Sequence, residues 1–349
     1  MSPFVKFLYN AVPLLGLSLT VGIAQGKPRN RDSQAACQIA LTKPSLALQI
    51  HPPTSRDKPT YLLLPGVNRS ALLTDPESQA LFADGSGVVA MNFQAQPFSL
   101  AELPADKSPA FLNQPVTLES LAREVEQTHD LLKTEYGIKN VIPVSLSFSG
   151  AVSPYLKGFP VVIEVVPMTS TAAFNPTLES FRKLWSMNPF LGRSVIDQAY
   201  RSTWGPQVDS IASEFNLPTT RRAQMIDGYM ALTHASEGAN WEDVELDKKV
   251  KRFFVLGIDE SPSLFKHQVT TILRLMNEGY DVHAIIVKEA GHMLFAEQPA
   301  TYAKILQNIG RLKQAAGQPS VLILTPSTGE ETRLKGEAAL AYLEKISAI

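Results

Sequence analysis

Three short stretches of this 349-residue chain hold the residue types that acyl transfer uses. Ser145-Leu146-Ser147-Phe148-Ser149, followed by Gly150, centres one hydroxyl between small residues two positions to either side. That pattern suits a sharp strand-to-helix turn whose central residue is strained and projects outward, although the same letters also fit a plain strand-to-helix loop. Glu289-Ala290-Gly291-His292-Met293 carries an imidazole, the side chain that takes and returns protons near neutral pH. Gly257-Ile258-Asp259-Glu260-Ser261-Pro262 carries two adjacent carboxylates. A hydroxyl, an imidazole and a carboxylate in series convert a weak alcohol into an effective nucleophile.

Each stretch leaves a run of strand character. Val141-Ile142-Pro143-Val144 precedes the serine, Arg252 to Leu256 precedes the carboxylates, and Val282 to Val287 precedes the histidine loop. Ahead of the first run, Leu118, Leu121, Val125 and Leu132 recur at helical spacing and Gly137 closes the helix. Leu46–Ile50, Tyr61–Leu64 and Val88–Asn92 read as earlier strands, and Ala300 to Leu312 as a helix. Strands alternating with helices predict an α/β fold, with a mainly parallel sheet covered on both faces. Of the six histidines, His51, His129, His234, His267 and His283 lie on strand, helix or cap patterns that suit structural roles.

In these motifs and their order the chain resembles the α/β-hydrolase superfamily, over roughly Ser45 to Leu312. It departs from the usual pattern at Ser145 and Ser149, where glycine is common, and at Pro65, where histidine is common. The resemblance implies an α/β-hydrolase fold carrying a mostly helical cap. It implies Ser147 as nucleophile and His292 as base and then acid. Either Glu260 or Asp259 would orient the histidine; the register counted from Gly257 favours Glu260, while Asp259 has the commoner chemistry one position early. Glu164, in the middle of a strand-like run, is a weaker claimant. Backbone N–H groups of Val67, in Tyr61-Leu62-Leu63-Leu64-Pro65-Gly66-Val67-Asn68, and of Phe148 would form the oxyanion hole. The implied activity is cleavage of an ester or related acyl bond, carboxylesterase-like or lipase-like. Peptidases, thioesterases and acyltransferases use the same groups, and some proteins of this fold bind without catalysing. With serine at position 147, chemistry that needs a nucleophilic aspartate is not expected.

A composition of 44% hydrophobic and 19% charged residues can bury a sizeable core, which excludes disorder for most of the chain. Net charge is -1 with a pI near 6.6, and no basic cluster interleaves with aromatics, so nucleic-acid binding is not expected. No zinc, phosphate-loop or dinucleotide motif is present; neither a metal nor a cofactor is expected. Residues 1–26 read as a secretory signal peptide: Lys6 opens it, Phe7 to Ile23 is mostly apolar, and Gly22 to Gly26 offers small residues for cleavage. A periplasmic or secreted bacterial protein with no stable membrane span after cleavage is expected, an uncleaved anchor being the alternative. The single cysteine, Cys37, allows no intrachain disulfide.

Residues 27–169 and 251–316 then form the core, 170–250 a cap and 317–349 a C-terminal appendage with no assigned role, whose apolar Val321 to Leu324 and helical Ala338 to Ile346 fit either a hairpin plus a helix packed on the body or a segment that meets a partner. The cap contains Phe174, Phe181, Leu184, Trp185, Met187, Phe190, Tyr200, Trp204, Met225, Met230 and Trp241. These could line a pocket for a small apolar ester or acyl substrate, or form the cap's own core. Oligomeric state is not legible.

Overall fold

The computed structural model describes residues 38–43, 46–67, 70–103, 106–171, 219–312 and 320–348. The signal segment 1–26 and most of the expected cap, residues 172–218 with Phe174 through Trp204, lie outside the described residues.

The described strands form one ten-stranded sheet. They are β1 (Gln38–Lys43), β2 (Leu46–His51), β3 (Thr60–Leu64), β4 (Gly87–Asn92), β5 (Val141–Leu146), β6 (Val161–Val165), β7 (Lys251–Gly257), β8 (Val282–Val287), β9 (Ser320–Thr325) and β10 (Glu330–Lys335). Their spatial order is β1-β2-β4-β3-β5-β6-β7-β8-β9-β10. The pairings β1–β2, β2–β4 and β9–β10 are antiparallel, and every pairing between them is parallel. The helices are α1 (Pro76–Ala83), α2 (Pro97–Glu102), α3 (Leu118–Glu135), α4 (Ser149–Val152), α5 (Thr219–Ala235), α6 (Pro262–Asn277), α7 (Leu294–Glu297), α8 (Pro299–Leu312) and α9 (Glu337–Ser347).

Strand β3 explains the layering. All five of its residues are buried, so it has no polar face. Successive side chains point to opposite sides of a sheet. Leu62 and Leu64 accordingly pack with Leu118, Leu121, Val125 and Leu132 of α3, while Tyr61 and Leu63 pack with Ile305, Leu306 and Ile309 of α8. The Tyr61 hydroxyl donates to the Leu306 carbonyl at 2.6 Å, which satisfies the phenol inside the core. Helix α3 is the predicted one. A reciprocal Thr117–Ser120 cap starts it, and Gly137, with φ 66°, lies just beyond its last turn. Each of its buried leucines stabilises the fold by roughly 1.5–3 kcal/mol.

The α/β core does not stop near Leu312 as expected. β9 extends the sheet in parallel beside β8, and α9 packs on α6 through Ala339, Leu343 and Ile346. The new edge, β10, carries exposed Glu330, Glu331, Arg333 and Lys335, charges that discourage further strand pairing. Among the described residues no helix is long and apolar enough to cross a membrane.

Candidate active site

β5 runs straight into the serine. Ser147 has φ 51°, a left-handed conformation that L-residues adopt at a cost of order 1–3 kcal/mol unless their surroundings enforce it. Here they do. The Ser147 N–H donates to Val165 O at 3.0 Å, and its carbonyl accepts from Gly150 N at 2.8 Å and Met168 N at 2.9 Å. Gly150 is required by the close approach of β6's exit: a Cβ there would lie 2.5 Å from Pro167 Cβ and 2.8 Å from Met168 N. Trp241, one of the aromatics that could line a pocket or join a core, is buried beneath this turn, its Nε1 donating to Gly150 O at 2.9 Å. Met225 and Met230 are also buried, the former in the core shared with α3.

The other two stretches converge on the same end of the sheet. His292 Nε2 lies 3.0 Å from Ser147 Oγ, across 145 residues of chain. Its Nδ1 hydrogen-bonds Glu260 Oε2, and the second carboxylate oxygen accepts from Ser261 N at 2.7 Å. This pattern assigns the Nδ1–H tautomer, leaving Nε2 as the acceptor that faces the serine hydroxyl. The loops that carry the two groups are tied together by Ile258 N donating to Val287 O at 3.0 Å and Asp259 N donating to Ala290 O at 2.9 Å. Gly257 permits that approach, because a Cβ would come within 2.3 Å of Ala290 O. Glu297 of α7 grips the histidine loop from the far side, accepting from Gly291 N at 2.6 Å.

Of the two candidate acids, only Glu260 meets the imidazole. Asp259 is exposed and lends its backbone to the loop pairing, so its expected alternative role as orienter is not supported. Glu164 lies elsewhere, fully buried in mid-sheet against Arg252 Nη1 at 2.7 Å, with Ser153 Oγ donating to the same carboxylate oxygen. Burial pushes its carboxyl up to about 7, against the pull of Arg252 and Ser153. Several other histidines have structural partners: His51 stacks on Phe82, His129 on Phe159 and His283 on Phe253, while His234 sits 3.6 Å from Glu237.

The two expected oxyanion donors flank the serine. Phe148 follows it directly and is buried, its ring edge-on to Phe93. Val67 ends the described part of the loop after β3, in which Gly66 approaches so closely that a Cβ would lie 3.6 Å from Ser147 Cβ. That loop is held by side chains. Ser149 Oγ donates to Pro65 O, and Gln96 Nε2 donates to Gly66 O at 2.7 Å.

No family model and no curated protein matches this sequence. Solved structures do resemble it in shape. An esterase from Exiguobacterium antarcticum superposes with a TM-score of 0.52 at 10% identity, covering 76% of this chain and 95% of that one. A carboxylesterase from the thaumarchaeon Nitrososphaera gargenis gives 0.51 at 14% identity, covering 79% and 98%. A bacterial membrane phospholipase A gives 0.51 at 13%, covering 89% and 93%. The chain has the α/β-hydrolase fold.

Within this hydrolase fold, sequence reasoning overlooked Gln96, Glu297 and a clasp at the C-terminal hairpin. Glu289, itself at φ 61°, accepts from Ser327 N at 3.0 Å and Ser327 Oγ at 2.6 Å, joining the histidine loop to the β9–β10 turn. Gln96 had a readable signal: an amide at the exit of β4, one position before the proline that opens α2. Ser149 was noticed only as a departure from glycine, and its hydroxyl has a partner.

Proposed function

We propose that this protein is a serine hydrolase that cleaves an ester or related acyl bond through an acyl-enzyme on Ser147. One observation carries the reading: the unbroken relay from Ser147 Oγ through both nitrogens of His292 to Glu260, with its base 3.0 Å from its nucleophile. The fold shared with an esterase and a carboxylesterase supports it at the level of architecture.

In this mechanism Ser147 Oγ attacks the acyl carbon while His292 Nε2 takes its proton. Glu260 holds the ring and stabilises the imidazolium. The carbonyl oxygen becomes an oxyanion that accepts from Val67 and Phe148 N–H. Collapse breaks the bond to the leaving oxygen, which receives the Nε2 proton and departs as an alcohol. A water then gives its proton to His292 and attacks the acyl carbon. Release of the carboxylic acid returns the proton to Ser147.

A fluorophosphonate probe tests the reading. Stoichiometric label on Ser147, absent in Ser147→Ala, is expected, together with hydrolysis of p-nitrophenyl esters. A folded protein that takes no label is a binding protein of this fold instead. Turnover across acyl chain lengths would test the preference for small apolar esters, and reaction with amides, thioesters or alcohol acceptors would redefine the reaction class. The proposal extends to residues 1–26 as an export signal. It predicts a mature extracytoplasmic form whose N-terminus lies near Gly26, and N-terminal sequencing of that fraction checks it.

A further inference from the structure

We infer that Gln96 and Ser149 form a two-point latch that sets the direction of the oxyanion-hole donors, making Gln96 a positioning residue for the reaction. The inference rests on the serine-hydrolase reading above.

Pro65-Gly66-Val67 belongs to neither strand nor helix, and glycine lets the peptide units on either side of it rotate at little steric cost. Something must therefore fix those planes. A trans peptide is planar with its C=O and N–H pointing in opposite directions, so whatever holds the carbonyl aims the N–H. The Gly66 carbonyl shares its peptide unit with the Val67 N–H. Gln96 Nε2 holds that carbonyl at 2.7 Å and also approaches Val67 O at 3.4 Å. The Pro65 carbonyl shares its unit with the Gly66 N–H, and Ser149 Oγ holds it. Two consecutive planes beside Ser147 are thus pinned by two donors that are themselves fully buried.

Both donors come from rigid places. Gln96 is the N-cap residue of α2, its N–H donating to Phe93 O at 2.9 Å and its carbonyl accepting from Leu100 N at 3.0 Å. Ser149 is the first residue of α4, in the same turn as the nucleophile. The amide orientation of Gln96 is chemically forced, since the reverse assignment would press its oxygen against Gly66 O. Its Oε1 is buried without a hydrogen bond among the described residues. What the glutamine supplies to this loop is its N–H₂.

The test compares native protein with Gln96→Leu, Gln96→Glu and Ser149→Ala on one p-nitrophenyl ester, alongside inhibition by a trifluoromethyl ketone whose adduct carries the oxyanion. Gln96→Leu is expected to lower kcat roughly 10- to 100-fold with KM unchanged, because a misdirected oxyanion donor weakens only the transition state. Ketone affinity should fall by the same factor. Gln96→Glu, which turns an acceptor toward the carbonyl, should be at least as slow. Ser149→Ala should lose roughly 3- to 10-fold in kcat. A Gln96→Leu variant within twofold of native kcat overturns the latch, as does one whose melting temperature falls while ketone affinity stays native. Should Gln96→Leu not fold, Ser149→Ala decides alone, and native kcat there overturns the latch. Absence of fluorophosphonate labelling in folded native protein would remove the serine-hydrolase reading and the latch with it. Normal labelling and turnover of native protein with unaffected variants would remove only the latch.

Discussion

Glu260 and Glu164 are both buried glutamates on neighbouring strand paths, yet they serve opposite ends. Glu260 sits just past the exit of β7, and its partner is His292, whose side chain keeps 28% exposure. Glu164 sits inside β6 with no exposure, and its partner is Arg252, which keeps 2%. An imidazole can surrender and recover a proton near neutral pH, whereas a guanidinium keeps its charge. In the proposed mechanism the imidazole of the first pair carries the proton while its carboxylate holds the ring, whereas the second pair can only hold a shape. Glu164 Oε2 and Arg252 Nε have no hydrogen bond among the described residues, and Arg252 lies over the Trp241 ring that supports the nucleophile turn. A carboxylate's place along its strand thus separates chemistry from scaffolding more sharply than its burial does.

Variants at each region can break this contrast. The largest effect belongs to Ser147→Ala: turnover should fall by about 10⁴-fold or more while thermal unfolding stays native. Ser147→Gly should be equally inactive and melt no lower than native, because glycine relieves the positive φ. Next, Glu260→Gln should cost about 10³-fold in kcat or more with little change in stability, while Asp259→Asn keeps native turnover. Equal losses in both would reassign the orienting acid. Glu164→Leu should do the reverse, destabilising by about 3–5 kcal/mol in denaturant titration because the buried Arg252 guanidinium loses its hydrogen-bond partner, with Glu164→Leu/Arg252→Met recovering most of it.

A pH series sharpens the same comparison. A carboxyl held above its unfolded value contributes stability that is present below that value and lost as pH rises through the folded one. For Glu164 the window runs from 4.5 to about 7. Relative to Glu164→Gln, native stability should drop by on the order of 3 kcal/mol across it. A flat difference would mean the carboxylate is ionised throughout. The smallest effect is expected from Ser327→Ala, which opens the exposed clasp on Glu289 and should slow kcat by no more than about threefold with stability within roughly 0.5 kcal/mol of native. A larger loss would make the C-terminal hairpin part of the site's support.

Much of the site could be read before any coordinates, because its constraints are local. Small residues at 145 and 149 around Ser147, a glycine ending β7, and apolar runs entering each loop are features of a few consecutive residues that backbone sterics impose. The helical period of Leu118, Leu121, Val125 and Leu132 is local in the same way, and all four are buried in one core. In the C-terminal segment the apolar run Val321 to Leu324 and the helical Ala338 to Ile346 were legible, but the edge strand β10 carries charges and shows no apolar run.

Residue types and their order along the chain alone determined the α/β architecture, the serine at the turn and the histidine on a loop after a strand-like run, read as the last of the core; the structure adds one more parallel strand, β9, beyond it. Only the tertiary structure placed Glu260, and not Asp259, against His292, paired Glu164 with Arg252 across 88 residues, and brought Gln96 to Gly66 across 30. The physical reason is reach. Period and turn sterics act within a few residues, whereas a hydrogen bond selects its partner by ångström-scale distance and direction after the sheet has assembled.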